Sequence, residues 1–309
     1  MKKVLSVMTM IALSATACGG DETNGGGTTT EGSTSTGSVA GGALSLDNCT
    51  TTISDDVPAF YRSYFKCSTI SLSGEEVVIV TKGLPPHASN YYDTSSPNYA
   101  PFDTSRGAQY KANPNRLLEQ NVTLRIPVNP KAINADISTT TVNHTVDGPT
   151  AGEFRMGAAG VALDSVVLYN PLAAPGDDIE NEKYTFDDYN GHPDMSKTYH
   201  YHTSTKGPLE VLAKLKLVTT TTPEKAEIDL YGVMCDGTVV LGCKELDGST
   251  PTSSALDAQN GHAHDIKDKD GSVLLAGRYH THMCSTFPDA THKLTPEIQY
   301  YSTCSVTTK

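Results

Sequence analysis

Charged side chains are scarce in this 309-residue chain, at 19 % against about 25 % in an average soluble domain. Helix-favouring Lys, Glu and Leu are sparse, while Gly, Ser and Thr are plentiful, which argues against a helical bundle or a coiled coil. Positive charge is scarcer still. Lys and Arg number 23 against 35 Asp and Glu, a net charge of −12, so there is no basic footprint for a nucleic-acid backbone and no nucleic-acid partner is expected. No apolar run reaches the roughly 18 residues that a spanning helix needs. CxxC is absent, which weakens a zinc-finger reading. HExxH, GxSxG, a P-loop and a Rossmann glycine fingerprint are absent too, so no familiar enzyme signature decides whether the chain is a catalyst. A cupin is disfavoured, because its HxH is followed within three or four residues by a Glu and neither His202 nor His282 has one there.

The start of the chain is a targeting segment. Lys2 and Lys3 precede an apolar stretch from Val4 to Leu13, and Ser14-Ala15-Thr16-Ala17 places small residues directly before Cys18. This is the layout of a signal peptide over residues 1–17. Its end resembles the bacterial lipobox, departing from it at Ala15, where Leu is usual. The resemblance implies lipidation of Cys18 and a membrane partner reached through that lipid. Gly19 in place of an Asp implies the outer membrane of the cell envelope. Residues 18–48 are rich in Gly, Ser and Thr and read as a flexible tether, with the folded domain spanning 49–309. Removing residues 1–17, which carry two lysines and no acid, takes the net charge from −12 to −14.

Beyond Cys18, six cysteines remain: Cys49, Cys67, Cys235, Cys243, Cys284 and Cys304. An even count in an oxidising compartment predicts disulfides. The cysteines fall into three close pairs along the sequence, so local pairing is expected: Cys49–Cys67, Cys235–Cys243 and Cys284–Cys304.

Strand-like segments dominate the folded part. They include Val77 to Val80, the alternating Val122-Thr123-Leu124-Arg125-Ile126, Val166 to Tyr169, Ile228 to Tyr231 and Thr238 to Leu241. Pro208 to Leu215 suits either a short helix or a strand, and Ser89 to Asn115 reads as a long loop. The expected fold is mainly β: a single large domain with an internal duplication and long loops, stapled by disulfides. The duplication is explicit in the residues. Asp187-Asp188-Tyr189-Asn190-Gly191-His192 recurs as Asp257-Ala258-Gln259-Asn260-Gly261-His262, and Tyr199-His200-Tyr201-His202 recurs as Tyr279-His280-Thr281-His282. Upstream, Gly160-Val161-Ala162-Leu163-Asp164 matches Gly232-Val233-Met234-Cys235-Asp236, giving copies near 160–202 and 232–282. The second copy carries ten extra residues around Asp265 to Gly277, where Asp270-Gly271 reads as a hairpin turn. Asp268 to Gly271 lacks the closing Glu of a calcium loop.

These motifs, together with Gly83-Leu84-Pro85-Pro86-His87 and Phe287-Pro288, resemble the YHYH-domain proteins over roughly residues 75–290. Thr281 and the cysteine-rich C-terminus depart from that pattern. The resemblance implies an order of motifs and no settled activity.

In a strand, residues i and i+2 share a face, so His200 and His202 project together, as do His280 and His282, while Tyr199 and Tyr201 face the other way. A His after an Asn-Gly turn can be aimed at the same place, which adds His192 and His262. These six are the candidate ligands of one or two transition-metal centres, with Zn or Cu as the expected ion. His87 and His264 are possible additional ligands. Asp187 and Asp257 are either turn residues or acceptors for the non-ligating ring N–H groups. His144 and His292 have no repeated context and read as surface residues. Three functions fit the pattern: a metal-binding envelope protein, a metal-dependent hydrolase or oxidoreductase with an open coordination position, or a metal-free adhesion or structural module with histidines in hydrogen-bond networks.

Overall fold

The computed structural model describes residues 44–130, 157–169, 179–257, 260–284 and 305–308. The signal segment, Cys18, most of the tether, His144, His292, Phe287-Pro288 and Cys304 lie outside them. Leu44 is buried in the core and its N–H donates to the Glu210 carboxylate, so the folded part takes in residues that the sequence reading gave to the tether.

Along the chain run β1 (Thr52–Ile53), α1 (Ala59–Tyr64), β2 (Thr69–Ser73), β3 (Glu76–Thr81), β4 (Val122–Pro127), β5 (Ala158–Ala162), β6 (Val167–Tyr169), α2 (Ile179–Glu182), β7 (Gly191–Pro193), β8 (Tyr199–Tyr201), α3 (Lys206–Lys214), β9 (Leu230–Met234), β10 (Val239–Leu241), β11 (Gly261–Lys267), β12 (Val273–His282) and β13 (Ser305–Thr308). The protein is mainly β, as the strand-like segments predict. Pro208 falls in the first turn of α3, whose N-cap Thr205 accepts from the Gly207 N–H, and the ambiguous segment is therefore a helix. Residues 89–115 form a long loop with one isolated bridge, Ser89 to Tyr99.

The strands make two sheets. One has the order β1-β2-β3-β4-β13 and the other β11-β12-β10-β9-β5-β6-β8-β7. Alternation in β4 turns Val122, Leu124 and Ile126 inward, and a continuous apolar cluster joins these residues to Val161, Val233 and Val240 of the larger sheet. The larger sheet is the duplication made visible. Each copy supplies four strands in the same arrangement, with a parallel pair (β6 with β8, β10 with β12) flanked by an antiparallel outer strand (β7, β11). The copies meet where β5 runs antiparallel to β9, with Val161 opposite its own counterpart Val233. A pseudo-twofold axis therefore passes through that pair. The ten extra residues of the second copy lengthen the β11–β12 hairpin, whose turn closes on Asp268.

The disulfide pairing needs correction. Cys49–Cys67 is formed, but Cys243 pairs with Cys284, 41 residues away, at a Cα–Cα distance of 4.9 Å. Cys235 is also disulfide-bonded, so Cys235–Cys243 and Cys284–Cys304 are both excluded. The hairpin turn lies at Asp236-Gly237, so Cys235 sits at its closed end while β10 carries Cys243 to the open end. There the parallel register of Leu241 with His282 brings Cys284 alongside.

Candidate functional site

All six predicted histidines are gathered, in two groups rather than one. His192 on β7 stands opposite His200 on β8, and His262 on β11 stands opposite His280 on β12, in the same register. Four strands separate β8 from β12, which at about 4.8 Å per step puts the groups about 24 Å apart. A single centre on the pseudo-twofold axis is therefore excluded. The third histidines, His202 and His282, follow by i+2 spacing.

In the first group, the ligand-capable atoms of His192, His200 and His202 all lie within 4.8 Å of one another. Nε2 of His200 and Nε2 of His202 are 2.8 Å apart. Tyr169 stacks on His200 at 3.7 Å and Phe186 lies parallel to His202 at 5.8 Å. The second group adds a residue that the sequence reading missed, Glu245. Its Oε1 lies 3.0 Å from Nε2 of His262, 3.2 Å from that of His282 and 3.4 Å from that of His280. His264, also on β11, brings its Nε2 to 3.3 Å from the same oxygen. Glu182 holds a related place in the first half, with Oε1 3.4 Å from His192 Nε2. Both carboxylates come from the crossover between the second and third strands of their copy.

The ring orientations decide what these groups can hold. Nδ1 of His200 lies 2.9 Å from the Thr198 carbonyl, Nδ1 of His280 2.9 Å from that of Arg278, and Nδ1 of His282 2.8 Å from that of Gly242. A carbonyl only accepts, so hydrogen-bond matching assigns the ring proton to Nδ1 in each case and leaves a bare lone pair on Nε2. The lone pairs of His280 and His282 then face the Glu245 carboxylate with no hydrogen between them, and that of His200 faces Nε2 of His202. His192 Nε2 is buried without a hydrogen-bond partner. Such an arrangement is matched by a cation.

Protons suit it poorly. Burial pushes His200 down to about 4, and burial followed by the neighbouring His200 and His202 pushes His192 well below its ordinary value. Burial also lowers His280, against the pull of Glu245. Imidazole and carboxylate donors are those of Zn²⁺ and Cu²⁺ sites, and backbone carbonyls on the far ring nitrogens are the usual second partners of such ligands.

His87 is not a ligand. It lies on the tyrosine face of β8, with Nε2 2.8 Å from the Tyr201 hydroxyl, Nδ1 3.1 Å from the Ala88 carbonyl and its ring stacked on Tyr189 at 3.5 Å. The alternation that sends His200 and His202 to one face puts Tyr201, and hence His87, on the other. For Asp187 and Asp257 the turn reading is the one that the structure bears out. Asp187 accepts from the hydroxyls of Tyr199 and Ser89 and from the Gly191 N–H, and Asp257 accepts from the Tyr279 hydroxyl and the Gly261 N–H. They hold the turns, in which Asn190 and Asn260 take φ of 55° and 53°. A Cβ on Gly191 or Gly261 would collide with the phenol of Tyr199 or Tyr279, so each glycine lets the phenol reach the carboxylate beneath it. Thr281 replaces the second phenol and leaves a buried hydroxyl without a hydrogen-bond partner.

The tyrosine face carries its own pH dependence. Burial pushes His87 down to about 3. Between that value and an ordinary 6.5 the unfolded chain binds a proton that the folded chain refuses, so the contribution of His87 to stability is lost as pH falls through this window. Burial raises Asp164 to about 7 and Asp187 to about 6. Their sign is opposite, and their contribution is lost as pH rises from about 4 to about 7. His87→Gln removes only the first effect. The variant is expected to gain about 2–3 kcal/mol on wild type between about pH 7 and about pH 4.5, measured by urea unfolding at both values. A difference independent of pH would show that His87 does not stay neutral. No family model, no curated protein and no solved structure matches this chain.

Proposed function

We propose that this is an exported, lipid-anchored envelope protein of the YHYH-domain kind that binds two transition-metal ions, Zn or Cu, one in each half of its larger sheet. The observation that supports this most directly is the convergence of Nε2 atoms. Those of His200 and His202 stand 2.8 Å apart, and those of His262, His280 and His282 surround Glu245 Oε1. A purely structural hydrogen-bond network would place a proton between Glu245 and the imidazoles of His280 and His282, and the Nδ1 bonds of those rings to backbone carbonyls remove it. The six imidazoles and Glu245 would hold the ions, and the ions would supply Lewis acidity at neutral pH.

A second reading, a metal-dependent hydrolase or oxidoreductase, draws on one feature of the first group. Three histidines are the number of protein ligands with which catalytic zinc sites leave a fourth position for water or substrate. Elemental analysis of protein purified without a histidine tag tests the main reading, with two ions per chain expected, one for each group. Protein that stays metal-free after reconstitution with Zn²⁺ and with Cu²⁺ overturns it in favour of the metal-free module.

A further inference from the structure

The two groups differ in their access to solvent. In the first, His192, His200 and His202 are no more than 3 % exposed, and Tyr169 and Phe186 lie over the rings. The residue two beyond His192 is Asp194, whose carboxylate accepts from the Tyr169 hydroxyl and the Thr198 N–H and so holds the aromatic cover in place. In the second group the corresponding position is His264. Its side chain is 44 % exposed, that of His262 16 %, and those of His280 and His282 are fully buried. All four Nε2 atoms lie within 3.4 Å of Glu245 Oε1. β11 is an edge strand, so this graded series of donors begins at the rim of the sheet and ends in its interior.

We infer that His264 is the capture ligand of the second centre, taking a hydrated divalent transition-metal ion from solvent and passing it by way of Glu245 to His262, His280 and His282. This rests on the reading that both groups bind metal. A hydrated ion sheds its water stepwise, so a half-exposed donor within reach of the buried set provides the intermediate that a closed shell lacks, and the hydrophobic cover controls access to the first centre. The second centre is thus the exchangeable one, and the first retains its ion.

The test uses the full chain loaded with Zn²⁺ and challenged with a chromogenic chelator under stopped flow, with rebinding of Zn²⁺ followed in the same way. Wild type is expected to release one ion quickly and one slowly. His264→Ala is expected to slow the fast phase, in release and in rebinding, by about tenfold, with two ions still bound at equilibrium. His264→Asp, which restores a donor, is expected to recover part of the rate. Because the side chain is half-exposed, both variants are expected to keep the wild-type melting temperature. A fast phase unchanged in His264→Ala overturns the inference and leaves the metal reading intact. Loss of one ion at equilibrium also overturns it, since His264 would then be a permanent ligand. Wild type without metal overturns both.

Discussion

His200→Ala/His202→Ala is expected to lose one metal ion per chain and keep the other, and His280→Ala/His282→Ala to lose only the other. Each double substitution takes two of the three imidazoles from one group and leaves too few donors for a stable first-row metal site. The halves are expected to act independently because four strands lie between β8 and β12 and no ligand is shared. Elemental analysis of both variants, with circular dichroism to confirm folding, reads the result. Complete loss in either variant would show that the groups act as one centre. Two ions retained in both would show that the histidines are hydrogen-bonded structure.

Removing the Cys243–Cys284 bridge is expected to lower stability and to weaken the second centre alone. The bridge closes a separation of 41 residues, for which the chain-entropy model gives about 4 kcal/mol. Its position carries the second effect. Cys243 lies two residues before Glu245 and Cys284 two residues after His282, and the carbonyl of Gly242, directly before Cys243, accepts from His282 Nδ1. The bridge therefore fixes the spacing of carboxylate and imidazole, whereas the first copy has Ser204 at the place matching Cys284. Urea unfolding and Zn²⁺ competition against a chelator, for Cys243→Ala/Cys284→Ala, check both parts. Equal loss of affinity at the two centres would refute the selective effect.

The histidine sets were legible in the sequence because a duplicated motif repeats its spacing and because strand alternation fixes which side chains share a face. The same alternation assigned Tyr199 and Tyr201 to the opposite side. Glu245 and Glu182 were not legible. They lie in crossovers that share no motif between the copies, and their separation of 63 residues differs from the 70 that relates His192 to His262. The cysteine pairing failed for a related reason. Proximity in sequence is a guide only where a hairpin brings neighbours together, and the parallel pairing of β10 with β12 joins Cys243 to a residue beyond the next hairpin. His87 was misassigned because no local pattern tells which face of a sheet a long loop covers.

The seam between β5 and β9 has a consequence for assembly. A chain with a single copy of the motif would end its sheet at β5, leaving a bare row of N–H and C=O groups. Since Val161 pairs with its own counterpart Val233, that edge is complementary to itself, and two such chains could close across it as an isologous dimer. Fusion replaces that encounter by an intramolecular one with no dependence on concentration. In these terms the larger sheet is a homodimer written into one polypeptide. Its two halves cannot separate, yet each can accept substitutions that a true homodimer would have to carry twice, and this lets one half enclose its histidines while the other brings His264 to solvent.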